Sequence, residues 1–263
     1  MKIIYSNISG GLLFAGKAYG EMLFRKVSLE NYIEYFRSKD ADIISLSEVH
    51  LEDKTSSLMV EHIAKELGMQ YHSSLALSAS FLDTGKQIGM AVISRYPIIS
   101  QKELLIPSPN IEIVKPNGEY WKLVDKGGQK VNLRIDDRAV SVINFSYFPF
   151  HHFNRRVDEE EFDGLRRQLI AILLGGGEQT PTIITGDFNN KNIEIGEAFP
   201  ELFTNNLLAK AVDVPSTVIG HDDQLDHILY QPQFYQASDQ FAELNGSDHL
   251  AIGATLQPNY LQK

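Results

Sequence analysis

The reading of this chain turns on the stretch PTIITGDFNN, residues 181–190. Thr182, Ile183, Ile184 and Thr185 are β-branched and largely apolar, the composition of a buried strand. Gly186, Asp187, Phe188, Asn189 and Asn190 follow at once, so the strand ends by presenting a carboxylate and a carboxamide two residues apart. Taken alone, such a tip is as readily an Asx turn as a functional site. The choice depends on whether other strands finish in the same manner.

Working outward, short apolar runs alternate with longer amphipathic stretches. Residues 2–7, 42–48, 71–77, 89–94, 139–145, 227–230 and 250–256 read as strands. Residues 28–39 carry Leu29, Tyr32, Ile33 and Phe36 at helical spacing, residues 55–67 carry Met59, Ile63 and Leu67, and residues 159–174 carry Phe162, Leu165, Leu169 and Ile172. Gly68 is a plausible stop for the second helix. Residues 111–138 read as hairpins, with KPNGEY and DKGGQK as turn signals. A loop-rich stretch runs from residue 191 to residue 225. No solenoid repeat, low-complexity segment or linker interrupts the chain. Alternating strands and helices with hairpins among them imply one α/β domain over residues 1–263, with mixed rather than purely parallel sheets.

Composition narrows the function. The chain has 263 residues, 43% hydrophobic and 22% charged, ordinary for a globular protein. No run approaches the roughly 18 apolar residues of a membrane helix. The opening MKIIYSNISGG lacks the apolar core of a signal peptide, so the expectation is a cytoplasmic protein without a membrane span. The absence of cysteine excludes disulfides, thiolate metal sites and a cysteine nucleophile. A net charge of −10 argues against a broad basic face for nucleic acid. It does not argue against phosphodiester hydrolysis, because a carboxylate site is acidic by construction and a divalent cation supplies the positive charge.

Other strands do end as the first one does. Asn7 closes the first strand, and Glu48 closes residues 42–48. Asp226 opens LDHILY, and Ser247, Asp248 and His249 stand just before LAIGATL. Each of these has a bland alternative as a surface acid, a turn former or a loop residue; five together call for one explanation. A rigid sheet fixes such groups while the loop end gives access. Glu48, Asp187 and Asp248 are hard anionic ligands, and Asn7 and Asn189 are neutral oxygen ligands or hydrogen-bond donors. That set suits Mg²⁺ or Mn²⁺ and suits Zn²⁺ poorly. His249 is the side chain best suited to donate to a phosphate or move a proton near neutral pH, with Asp226 as its orienting carboxylate.

In this order, NISGG, DIISLSEV, GMAVISRYPI, ITGDFNN, LDHILY and GSDHLAI resemble the motifs of the endonuclease/exonuclease/phosphatase superfamily. The resemblance covers nearly the whole chain. It implies a four-layered sandwich, two packed mixed β-sheets flanked by helices, and Mg²⁺-dependent phosphoester hydrolysis at one edge of it. It also implies Glu48 as principal metal ligand with Asn7 beside it and Asp248 at the same centre. Asp187 would orient or deprotonate the attacking water, Asn189 would bond the phosphate, and His249, held by Asp226, would contact it.

The resemblance is uneven in VINFSYFPFHHF. Deoxyribonuclease-like and sphingomyelinase-like members carry a histidine where this chain has Ser146. Exonuclease III-like members carry a tyrosine where this chain has Tyr147, so Tyr147 is a catalytic candidate against a packed aromatic. His151 or His152 could supply the missing imidazole from the loop; otherwise they are a solvent-exposed pair. His50 replaces the lysine that the abasic-site branch carries two residues after its glutamate. The superfamily therefore follows and no subfamily does.

Residues 115–138 hold Lys115, Lys122, Lys126, Lys130, Arg134 and Arg138 against Glu119, Asp125, Asp136 and Asp137. With Tyr120 and Trp121 they could form an arm contacting a polyanion, or a solvated β-ribbon. The HDDQ stretch, residues 221–224, reads as a polar loop rather than a second metal site. The leading expectation is a monomeric Mg²⁺-dependent phosphodiesterase with nucleic acid as substrate. A phosphoesterase for a small phosphoester or lipid headgroup is the alternative within the same chemistry. A non-catalytic module on a hydrolase scaffold, motivated by Ser146, is the alternative outside it.

Overall fold

The computed structural model describes residues 1–18, 21–175 and 180–259. Its strands in chain order are β1 (Lys2–Asn7), β2 (Leu12–Ala18), β3 (Glu21–Val27), β4 (Ile43–Leu51), β5 (Tyr71–Ala79), β6 (Gln87–Ser94), β7 (Ile98–Ile106) and β8 (Glu112–Val114). They continue with β9 (Tyr120–Lys122), β10 (Lys126–Ile135), β11 (Arg138–Ser146), β12 (Thr182–Asp187), β13 (Ala209–Lys210), β14 (Asp226–Tyr230), β15 (Tyr235–Glu243) and β16 (Ala251–Pro258). The helices are α1 (Leu29–Lys39), α2 (Leu58–Glu66), α3 (Asp163–Leu174) and the short α4 (Ile195–Ala198). Two six-stranded mixed sheets result, ordered β15-β16-β1-β4-β6-β5 and β13-β14-β12-β11-β10-β7. Among the described residues, no helix is long and apolar enough to cross a membrane.

Period-two alternation sets the layers. Ile3, Tyr5, Ile43, Ile183 and Ile228 point into an apolar layer between the sheets. Their neighbours Ile4 and Ile44 face α1 and α2 on the outside of the first sheet. Ile184 and Leu229 face α3 on the outside of the second. Strands buried on both faces need continuous apolar runs, which is why IIYS, IISL and TIIT show no polar alternation. Two buried amides pin the sheets together: Asn144 donates to the Leu46 and Ala91 carbonyls at 2.8 and 3.0 Å, and Gln129 accepts from the Ser73 hydroxyl at 2.8 Å.

Three expectations change. The DKGG stretch is not a turn, because Gly127 and Gly128 lie inside β10 between β7 and β11. A Cβ there would sit 1.9 Å from the Leu104 carbonyl oxygen or 2.0 Å from that of Asn144, so these glycines permit close backbone approach. The turn that joins β10 to β11 is Asp136–Asp137, both at positive φ. The second strand does not stop at Glu48; it runs on to Leu51 through a bulge. The β2–β3 hairpin, β7 and β15 are further strands without a clear apolar period in the sequence; β7 is mostly exposed and β15 is largely exposed or half-buried.

The topology assembles one edge. β1 and β4 run parallel, as do β11 and β12, while β14 and β16 run antiparallel to β12 and β1. The last residues of β1 and β12 and the first of β14 and β16 therefore share one rim of the sandwich.

Candidate active site

On the first sheet, Asn7 ends β1 and Glu48 sits at the β4 bulge with φ +52°. A bulge re-aims the side chain out of the regular alternation. The Asn7 carboxamide oxygen accepts the Ser9 amide at 3.0 Å, and the same carboxamide hydrogen-bonds Glu48. Asn7 thus acts on Glu48 as a donor. Ser9, at φ +44°, donates its hydroxyl to Asp248 at 2.6 Å. The turn that aims Ser9 needs Gly10, whose φ is +66°; a Cβ there would meet the His50 ring at 2.4 Å. His50 is packed behind that turn and bonds Ser80 at 3.0 Å, so it does not take the place of a site lysine.

On the second sheet, Asp187 ends β12 and is the register partner of Asp226, the first residue of β14. The Asn189 amide donates to Asp187 at 2.9 Å, and the Asn189 carboxamide nitrogen donates to the Tyr147 carbonyl at 3.0 Å. Asp226 is fully buried and accepts from His249 Nδ1 at 2.7 Å. Its other oxygen, Oδ1, has no hydrogen-bond partner. Thr217 anchors this segment: its hydroxyl oxygen accepts the Leu225 and Asp226 amides at 3.0 and 3.1 Å, and its carbonyl accepts the Leu250 amide at 2.7 Å.

The electrostatics follow from this crowding. Burial, then the charge of Asp248, push the Glu48 carboxyl up, although Glu48 keeps part of its surface in contact with solvent. Burial, then Asp226, push Asp187 up to about 7. Burial alone would push the His249 imidazole down; the charge and hydrogen bond of Asp226 outweigh it and hold the ring well above its ordinary value. Lys126, at the start of β10, acts on both Glu48 and Asp187. In the linear chain Lys126 is one of six cations between residues 115 and 138, with nothing to set it apart.

Glu48 and Asp248 are the pair able to hold a cation. A desolvated Glu48 carboxylate whose proton affinity burial and then the Asp248 charge raise, beside a second carboxylate, is a donor set that a hard divalent ion would relieve. Among the described residues, no three acid or imidazole groups close into a cage.

One candidate stands elsewhere. Tyr147 follows the alternation of Ile143 and Phe145 and points to the α3 side of the second sheet. Its ring packs on Phe148, Phe150 and Phe199, and its buried hydroxyl has no partner. Only its main chain borders the site, through the Asn189 bond above and an amide that donates to the Asp187 carbonyl at 2.8 Å. Ser146, one residue earlier, pairs with Asp187 in register. His151 packs beside His152, with ring centroids 4.2 Å apart.

The comparisons with known proteins bear on the family and the fold. The family model described as "Endonuclease/Exonuclease/phosphatase family" matches residues 5–249. The chain belongs to the endonuclease/exonuclease/phosphatase family, a family of hydrolytic phosphoesterases. Its fold is similar to the human Nocturnin catalytic domain with bound sulfate anion, at TM-score 0.67 and 17% identity over 98% of this chain and 93% of that one. It is similar to the mannosyl-6-phosphatase of Bacteroides thetaiotaomicron VPI-5482, at TM-score 0.59 and 14% identity over 98% and 99% of the two chains. It is also similar to the endonuclease domain of TRAS1, a telomere-specific non-LTR retrotransposon, at TM-score 0.55 and 13% identity over 100% and 99%. No curated protein matches the chain in sequence.

Proposed function

We propose that this protein is a Mg²⁺-dependent phosphodiester hydrolase acting on nucleic acid, with Mn²⁺ able to replace Mg²⁺. The observation that carries the reading is the convergence of Glu48 and Asp248 with Asp187, Asn189 and the Asp226–His249 pair on one rim. Glu48 and Asp248 would hold the ion, and Asn7 and Ser9 fix their carboxylates. When bound, the ion would polarise the phosphorus centre and offset charge on the leaving oxygen. Asp187, near neutrality in its proton affinity, suits the general base that takes a proton from the attacking water. His249 is held protonated by Asp226 and donates to a phosphate oxygen, while the Asn189 carboxamide bonds a second. Lys126 adds positive charge on the same side.

The test is supercoiled plasmid incubated with and without Mg²⁺ or Mn²⁺, beside Asp187→Ala and Glu48→Ala. Metal-dependent nicking that both variants lose is the expected result. Full activity in both folded variants would overturn the site.

The net charge of −10 and the likeness to a mannosyl-6-phosphatase favour a second reading, a lipid headgroup, sugar phosphate or nucleotide as substrate. Turnover of such a compound without plasmid nicking would select it. In either reading the protein is a cytoplasmic monomer with residues 1–263 as one domain. A solution mass above one chain by light scattering would correct the monomer.

A further inference from the structure

Beside the carboxylates lies a basic cluster that the proposed hydrolysis does not use. It gathers residues from separate segments: Lys115 from the β8–β9 hairpin, His151 and His152 after β11, Lys191 after Asn189, and His221 from the loop before β14. Lys191 Nζ lies 3.4 Å from His221 Nδ1. Lys115 Nζ stands 4.3 Å above the Trp121 ring and also donates to the His152 carbonyl. The Trp121 and His152 rings meet edge to face at 5.9 Å. Trp121 is exposed, and His152 keeps part of its surface in solvent while its ring packs against Trp121 and His151.

The cluster is like-charged. His151 is pushed down to about 3, by burial first and then by His152, Lys191, His221 and Lys115, and His152 to about 4, by burial first and then by Lys115, Lys191, Lys126 and His221. The nearby acids face other groups. Glu119 accepts the Trp121 indole N–H at 3.1 Å, and Asp223 accepts the Asn192 amide at 2.8 Å. Asp222 and Asp223 follow His221 in sequence. A chain of net charge −10 thus concentrates ammonium groups and neutral imidazoles at one place. Neutral imidazoles offer N–H donors, lysines offer charge, and a cation is repelled. Lys126 joins the two regions, acting on Glu48 and Asp187 on one side and His152 on the other.

We propose that Lys115, Lys191, His152 and His221, beside the Trp121 ring, form a second anion subsite that holds a further phosphate of the substrate. The inference rests on the hydrolytic reading, since it places the first phosphate at Asp187 and Asn189. The substrate is then a compound with at least two phosphates, either a polynucleotide end or strand or a small bisphosphate.

The first experiment needs no catalysis. Inorganic phosphate is titrated into the full-length protein in EDTA while histidine imidazole resonances are followed by NMR. The His152 and His221 signals are expected to move saturably while His249 stays in place. Lys191→Gln and Lys115→Gln are expected to weaken the binding about tenfold each. Unmoved His152 and His221 signals, or unchanged binding in both variants, overturn the subsite. The second experiment compares competitors of metal-dependent bis(p-nitrophenyl) phosphate hydrolysis. The pairs are TpT against 5′-phosphorylated pTpT, and fructose 6-phosphate against fructose 1,6-bisphosphate. A gain of about tenfold for either doubly phosphorylated compound supports the subsite and names its source. Equal potency within both pairs overturns it. If no hydrolysis is found at all, the catalytic reading fails and the phosphate titration still decides the subsite.

Discussion

Asp187 and Asp226 stand directly opposite each other across the antiparallel β12–β14 pair, two carboxylates in register where like charges repel. His249 Nδ1, 2.7 Å from Asp226, is the cation that makes the arrangement tolerable. Replacing Asp226 with Asn keeps an acceptor for the ring and removes the charge. The expected outcome is a fall in kcat of about 10²–10⁴, the usual worth of a positioned acid or base. The His249 ring would titrate lower by NMR, and Asp187 would titrate lower as well. A His249 titration unchanged in Asp226→Asn would show that the pair does not act as described.

The same crowding predicts an unusual pH profile for folding. Asp187 titrates near 7 in the folded chain and near 3.9 when unfolded. Between those values the folded state binds more protons, so stability falls as pH rises. His249 acts in the same direction, because its folded value is also raised. In EDTA, urea unfolding midpoints should decline from about pH 4 to about pH 7, and Asp187→Asn should flatten that decline. Equal slopes in the two proteins would contradict the buried, raised carboxyl.

Glu48→Gln removes one charge from the pair at the bulge and keeps the hydrogen-bonding shape. Divalent-ion affinity should fall by at least about tenfold, the worth of a charged contact, measured by calorimetry with Mn²⁺. Stability in EDTA should rise, because the substitution removes the carboxyl that burial and Asp248 push up. A variant that binds Mn²⁺ as the wild type does would place the ion elsewhere.

Tyr147→Phe separates the packed tyrosine from the catalytic one. Its hydroxyl is buried without a partner, and leaving such a group unsatisfied costs about 1–3 kcal/mol. The variant should keep full hydrolytic activity and unfold at equal or higher urea concentration. A loss of kcat with intact folding would return the hydroxyl to the chemistry.

Gly128→Ala tests the crowded strand β10. Its Cβ would lie 2.0 Å from the Asn144 carbonyl oxygen, so the backbone must move, at a cost of about 1–3 kcal/mol by equilibrium unfolding. A neutral substitution would mean that the β10–β11 pair is looser than its register implies.

Much of this molecule was legible in the linear chain because strands buried on both faces announce themselves. TIIT, IISL and IIYS are apolar on both parities, and the polar residue that breaks each run is the one the rim presents. What stayed hidden depended on parity or on three-dimensional neighbours. Tyr147 and Ser146 are adjacent, and only the facing of β11 tells which one meets the site. DKGG has turn composition, yet the crowding of β7 and β11 makes its glycines strand residues. Ser9 lay inside a motif already quoted, but its bond to Asp248 spans 239 positions of the chain. β7 is mostly exposed and β15 holds one buried residue, so no apolar period marks them.

The two amides that cross the sandwich have a mechanical consequence. Asn7, Glu48 and Asp248 ride on the first sheet, and Asp187, Asn189 and Asp226 ride on the second. Asn144, bonded to the carbonyls of Leu46 and Ala91, and Gln129, bonded to Ser73, prevent one sheet from gliding over the other. The rim is therefore a vernier between two plates: a displacement too small to expose the core would still part His249 from Asp226. Alignment for chemistry and cohesion of the sandwich are held by the same buried carboxamides.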